Sequence, residues 1–244
     1  MQQYRNDAAL TARSLVASLL LGMRQPALTG KRLVAAGRVF GFNDGAVRVA
    51  LSRMTAAGEL AAEGGSYRLA GPLLERHQRQ EEGRRPRMRT WDGTWRMAVV
   101  GASGPRPPSQ RAEVRQALAG LRLAEMREGV WTRPDNLGAS TSVAGCVWWN
   151  GARPTDDAVA FAAALWDLPG WTATAHALLA AMGRPAGSLP EAFAVAAAVV
   201  RHLRDDPLLP AQLLADDWPG DHLRAAYDVY ERDFQRALRP VLNG

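Results

Sequence analysis

The stretch NDGAVRVALSRMTAAGELAAEGGSYRL, residues 43–69, constrains the fold more than any other part of the chain. Asn43 is a strong helix N-cap, because its side-chain oxygen can accept from the free N–H groups of a first turn. Phe42 before it and Val47 four positions after it have the spacing of a hydrophobic staple. Val47, Ala50, Leu51 and Met54 recur at i, i+3, i+4 and i+7 and predict one buried stripe. Gly45, Arg48, Ser52 and Thr55 lie away from it. Gly58 predicts a left-handed residue at the helix end. Residues 60–63 and 66–69 then flank Gly64-Gly65, a two-residue turn that accepts positive φ. Such a helix is buried on one side, carries Arg48 and small polar groups on the other, and runs at once into a tight hairpin. Its small-residue face permits close approach to a groove.

The preceding sequence fits this reading. Residues 8–23 predict a first helix and residues 29–40 a second, with Thr29 as its cap. Three helices followed by a hairpin is the order of a winged helix-turn-helix, whose third helix enters the major groove while the hairpin lies along the backbone. An ordinary three-helix domain with a surface hairpin has the same order. The charge favours the first reading. Residues 1–90 carry 15 basic against 7 acidic side chains, whereas residues 151–244 carry 8 against 12, within an overall charge of +6. Positive charge thus sits where phosphate contacts require it. The candidate DNA-binding residues are Lys31, Asn43, Gly45, Arg48, Ser52, Arg53, Ser66, Tyr67 and Arg68. Arg48 is expected to reach a base edge or a groove phosphate, and Arg53 and Arg68 to contact phosphates. One recognition helix reads only a few base pairs, so a homodimer on an inverted repeat of double-stranded DNA is expected.

A single cysteine, Cys146, excludes an intrachain disulfide and suggests a reducing compartment. The apolar run at residues 14–23 is too short to span a membrane. A soluble, cytoplasmic protein with no membrane partner is the expectation.

Beyond the hairpin, residues 71–90 predict a polar helix running into a basic linker at Arg84, Arg85, Arg87 and Arg89, read as a solvated tether. Residues 91–152 then show strand, helix, two strands around Glu128-Gly129, a helical turn or loop, and a last strand. That is the order of a ferredoxin-like α/β sandwich. Residues 153–244 are helical in pattern, interrupted by the Pro-, Asp- and Leu-dense run RDDPLLPAQLLADDWPG. The expected fold is therefore α+β. It comprises a winged helix-turn-helix domain at 1–70, a linker at 71–90, a ferredoxin-like domain at 91–152 and a helical domain at 153–244.

Catalytic motifs are lacking. His77, His176, His202 and His222 are scattered and show no metal-ligand spacing, and no phosphate-binding GxxxxGK[ST] loop is present. The first strand of the central region ends in RMAVVGAS, without the carboxylate that a metal-dependent nuclease of that fold would need. Neither enzyme activity nor a metal or cofactor is expected. The adjacent acids Asp156-Asp157 and Asp205-Asp206 read as helix caps at Asp156 and Asp205. All eight tryptophans lie beyond the linker. They suit packing between the central and C-terminal regions, and equally the walls of an effector pocket. The candidate ligand-binding residues are Arg84, Arg85, Trp91, Arg96, Trp131, Arg133, Trp149 and Trp218, with aromatic walls for stacking and cations for a phosphate or carboxylate.

The run AVRVALSRMTAAGEL with its short wing, then WDGTWRMAVV, EGVWTRP and DDPLLPAQLLADDWPG, resembles the phenylacetic-acid degradation repressor (PaaX) family over nearly the whole chain. The resemblance implies a bacterial transcriptional regulator, usually a repressor. Its parts would be an N-terminal winged helix, a central domain like the small CRISPR-associated ferredoxin-fold nucleases, and a C-terminal helical domain. The founding type releases DNA on binding phenylacetyl-coenzyme A, which implies an acyl-coenzyme A or aromatic acid as effector and a catabolic operon as target. The chain departs from the pattern at Ala215, where proline is common, and in a wing with few basic residues. The other reading is a nucleic-acid-processing protein that uses the central domain as a nuclease-type module.

Overall fold

The fold is that of a computed structural model, which describes residues 11–22, 27–101, 107–138 and 142–243. It is α+β, with two antiparallel sheets among many helices. The contacts group the chain into two compact units. One comprises Met1–Glu81, Leu178–Arg204 and His222–Gly244, the other Glu82–Ala177 and Asp205–Asp221.

The first unit begins with α1 (Ala12–Leu21), α2 (Gly30–Val39) and α3 (Asp44–Ala56). Thr11 and Ser14 cap α1 reciprocally, and the Thr29 side chain accepts from Arg32 N at the start of α2. The expected start of the first helix at residue 8 and its end at residue 23 lie outside the described residues. Asn43 caps α3 through Oδ1, which accepts from Ala46 N at 2.8 Å. At its far end Gly58 N donates to Thr55 O and Glu59 N to Met54 O, with Gly58 at φ +70°. That crossed pair satisfies the last carbonyls of the helix. Strands β2 (Leu60–Glu63) and β3 (Ser66–Leu69) pair in register across Gly64-Gly65. A third strand, β1 (Ala27–Thr29), pairs with β3 and gives the order β1-β3-β2. The sequence reading missed β1, since three residues are too few for a periodicity signal.

The stripe Val47, Leu51 and Met54 is buried against Leu15, Leu20 and Leu33. Each such side chain contributes about 1.5–3 kcal/mol by leaving water. The α2–α3 crossing is close: a Cβ on Gly37 would stand 2.5 Å from Val47 Cγ2. The unit is completed by α4 (Gly71–Arg84), α8 (Leu189–Arg204) and α9 (Gly220–Asn243), apart from the ends of α4 and α9. Phe193 of α8 meets Phe40 edge-on at 5.2 Å, and Phe234 and Leu238 of α9 join the same core. Gln235 Nε2 donates to Gly22 O at 3.0 Å, and His77 Nδ1 lies 3.1 Å from Leu21 O, so both helices hold the end of α1.

The second unit is built on β4 (Trp95–Val100), β5 (Ala124–Arg127), β6 (Val130–Pro134) and β7 (Cys146–Ala152) in the order β5-β6-β4-β7, every pair antiparallel. Helix α5 (Pro108–Gly120) crosses from β4 to β5, and its Leu118 packs with Ala98 and Trp131. Between β6 and β7 the described residues form no helix, and residues 139–141 of the stretch 134–141, expected as a helical turn or loop, lie outside the described residues. Trp95 packs with α6 (Ala158–Leu165) and with the 3-10 turn Ala211–Leu213. The cap of α6 is Asp157, accepting from Val159 N at 2.9 Å, not Asp156 as expected. Helix α7 (Leu168–Met182) follows, its residues from Leu178 on belonging to the first unit. The basic linker is not simply a solvated tether: Met88 bridges to Leu137, and Arg89 pairs with Asp135 at 3.2 Å and donates to Leu137 O at 3.1 Å.

Candidate nucleic-acid interface

Four of the nine candidate DNA-binding residues lie on the outer side of α3. Gly45, Arg48, Ser52 and Arg53 are exposed, while Val47, Ala50, Leu51 and Met54 are buried. Thr55 is half-buried, its hydroxyl donating to Leu51 O at 2.9 Å. Asn43 is exposed, but its side-chain oxygen is occupied in capping. Lys31 is exposed in the first turn of α2.

The α2–α3 turn is braced by a pair that sequence reading did not single out. Arg38 Nε and Nη2 donate to Asp44 Oδ1 and Oδ2 at 2.7 and 2.6 Å. The hydrogen bond from Arg38, helped by the charge of Arg48, lowers the Asp44 carboxyl below its usual value, and Arg38 is raised in turn. The only signal in the sequence is two opposite charges six residues apart across a turn. Asp44 also sits in the first turn of α3, where a carboxylate interacts well with the helix dipole.

The hairpin strands carry one cation, Arg68, and one acid, Glu63. Arg68 is exposed and faces Glu63 at 3.7 Å, a surface pair of little energetic weight. Ser66 and Tyr67 are half-buried. The Tyr67 ring packs with the first unit's core, and a Cβ on Gly30 would stand 3.2 Å from its Cε2. Tyr67 thus serves packing at the start of α2.

Three of the eight candidate ligand residues share one face of the second sheet. In the sheet, Arg96, Trp131 and Arg133 share the face under α5, and Trp149 lies on the opposite face, 58% exposed. Trp131 is buried, with the Arg115 guanidinium 6.0 Å from its ring centre. Arg96 lies 4.3 Å over the neighbouring Trp148. Trp91 donates to Thr94 O at 2.6 Å and meets Trp95 edge-on, while Trp218 stacks on Trp171 at 4.4 Å. Arg84 ends α4 and Arg85 follows it, exposed.

Arg133 has a role that the sequence did not disclose. It is only 4% exposed, and its guanidinium donates to Pro134 O, Leu121 O, Asn136 Oδ1 and Leu208 O. Asn136 Nδ2 donates to the same Leu208 carbonyl at 2.9 Å, and Leu208 N donates to Asp206 Oδ1 at 2.8 Å. These bonds pin the run Asp206–Pro210, buried throughout, with Leu208 at φ +52°. Asp206 thus holds a turn, and no helix starts at Asp205 to be capped. Burial pulls the Arg133 guanidinium down to about 9, which leaves it charged at neutral pH. An arginine so enclosed by carbonyls is unavailable to an effector.

Among the described residues, no group of three or more His, Cys, Asp or Glu side chains is placed to hold a metal ion. No described helix is long and apolar enough to cross a membrane.

Comparison with known proteins agrees with the motif order. No curated protein matches the chain. Among solved structures it is similar to Uncharacterized protein Rv0674 from Mycobacterium tuberculosis, at 43% sequence identity and a TM-score of 0.77, covering 96% of this chain and 99% of that one. Residues 11–73 match the family described as PaaX-like protein, and residues 170–243 match the PaaX-like protein C-terminal domain. The chain belongs to the PaaX-like protein family, a family of transcriptional regulators.

Proposed function

We propose that this chain is a cytoplasmic DNA-binding repressor that acts as a homodimer on an inverted repeat. The observation that carries the reading is α3: a helix buried along Val47, Leu51 and Met54 with Gly45, Arg48, Ser52 and Arg53 exposed on its outer side. We read α1–α3 with β2 and β3 as a winged helix-turn-helix, and α3 as the helix that enters the major groove. The order β5-β6-β4-β7 is read as ferredoxin-like. No reaction is assigned to the chain. Family membership supports an acyl-coenzyme A or aromatic acid as the signal that releases DNA. Such a ligand must prefer the non-binding conformation by several kcal/mol.

Selection from a pool of random duplexes, with sedimentation of the complex, tests the reading. An enriched inverted repeat occupied by two chains is expected. Arg48→Ala should weaken that site by about 1–3 kcal/mol. A protein that enriches no duplex, or an Arg48→Ala variant that binds as the wild type does, would overturn it.

A further inference from the structure

On a helix with about 100° per residue, the buried stripe of α3, Val47, Ala50, Leu51 and Met54, centres between Val47 and Met54. Directly opposite lie Gly45 and Ala56, with Ser52 and Val49 about 30° to either side. Arg48 and Arg53 stand farther out, about 70° from that line on its two flanks. The middle of the exposed face is therefore uncharged, and its bulkiest side chain is Val49, which is 50% exposed. Asp44, the one acid on α3, is held by Arg38.

We infer that Val49 reads a thymine in the operator, packing its methyls on the C5-methyl group that only thymine presents in the major groove. The inference rests on the DNA-binding reading and adds to it a residue that confers sequence preference without a hydrogen bond. One arginine on each flank suits an occupant with an anionic backbone on both sides of an uncharged floor, as a groove has. Gly45 supports close approach. Glycine is a poorer helix former than alanine, yet a Cβ at Gly45 would meet only Asn43 Oδ1, at 3.4 Å. The chain's own packing thus gives no reason for a bare backbone at that point.

The test uses the duplex that the full chain selects for itself. Each thymine of the half-site is replaced in turn by deoxyuridine, which deletes the methyl alone. Wild-type protein should lose about four-fold in affinity at one such position, the factor for one buried methyl group. Val49→Ala should lose about as much on the unmodified duplex and become indifferent to that replacement. Circular dichroism checks that the variant is folded. The inference is overturned if no single methyl matters to the wild type, or if Val49→Ala keeps the same sensitivity. It is equally overturned if Val49→Ala changes the association state and leaves DNA affinity untouched, which would put a protein partner on this face. Failure to select any duplex would strike the DNA-binding reading itself, a different result from selection without methyl dependence.

Discussion

The contact between Gly37 and Val47 predicts a change of sign. Alanine at 37 would place its Cβ 2.5 Å from Val47 Cγ2, about 1 Å inside ordinary carbon–carbon contact. Val47 is fully buried and β-branched, so it has little room to turn aside. Overpacking of this kind costs about 1–3 kcal/mol, against a gain of about 1 kcal/mol for alanine over glycine in a helix. Gly37→Ala should therefore destabilise the first unit by up to about 2 kcal/mol. Val47→Ala alone removes two methyl groups and leaves a void, a loss of about 2–3 kcal/mol. With Val47 truncated, the atom nearest the new Cβ would be the residue's own Cβ at 3.7 Å, followed by Phe42 Cβ at 3.8 Å, both ordinary contacts. In that background Gly37→Ala should stabilise by about 1 kcal/mol. The coupling of about 1–3 kcal/mol is read by a double-mutant cycle. Amide exchange of residues 30–56 in urea reports the right unit. Tryptophan emission would not, because all eight tryptophans fall in the other one. Two substitutions that add within about 0.5 kcal/mol would refute the close-packing argument.

Two further outcomes follow from polar contacts. Asn136→Ala strips the Leu208 carbonyl and Arg133 of a buried partner and should destabilise the second unit by about 1–3 kcal/mol; urea unfolding followed by tryptophan emission checks it, and unchanged stability would mean that the turn is held otherwise. The Asp44 carboxyl lies below its usual value of 3.8, so its contribution to stability is present above pH 3.8 and fades as pH falls through the lowered value; Arg38→Gln should return the Asp44 titration toward 3.8 by NMR, and an unmoved titration would mean that Arg38 is not its cause.

Much of the first unit was legible in the sequence because local rules decide it. The caps Asn43 and Thr29, the stripe of α3, Gly58 and the Gly64-Gly65 turn each act over a few residues, and each stands where the pattern put it. What could not be read is long-range. Nothing near Arg133 announces that its partners include a carbonyl 75 residues away, so a cation in a tryptophan-rich region looked like a ligand contact. Asp205 resembles a helix cap in isolation, yet no helix starts there and Asp206 beside it holds a buried turn. Val49 was hidden differently: its type suggests a core, and only the phase of the helix puts it outside.

The division of the chain bears on its synthesis. The core that supports α3 includes Leu15, Leu33 and Val47, but also Phe193 and Leu238. A ribosome releases Phe193 and Leu238 well after Leu15, Leu33 and Val47, so α1–α3 emerge long before these packing partners do. The second unit has its own wait, since the Asp206–Pro210 turn and Trp218 arrive after α7 and α8. A nascent chain halted in that interval would hold the outer face of α3 without the full core behind it. Completion of the unit that holds α3 thus waits for α8 and α9, and a chain cut before Phe193 would leave that core incompletely packed.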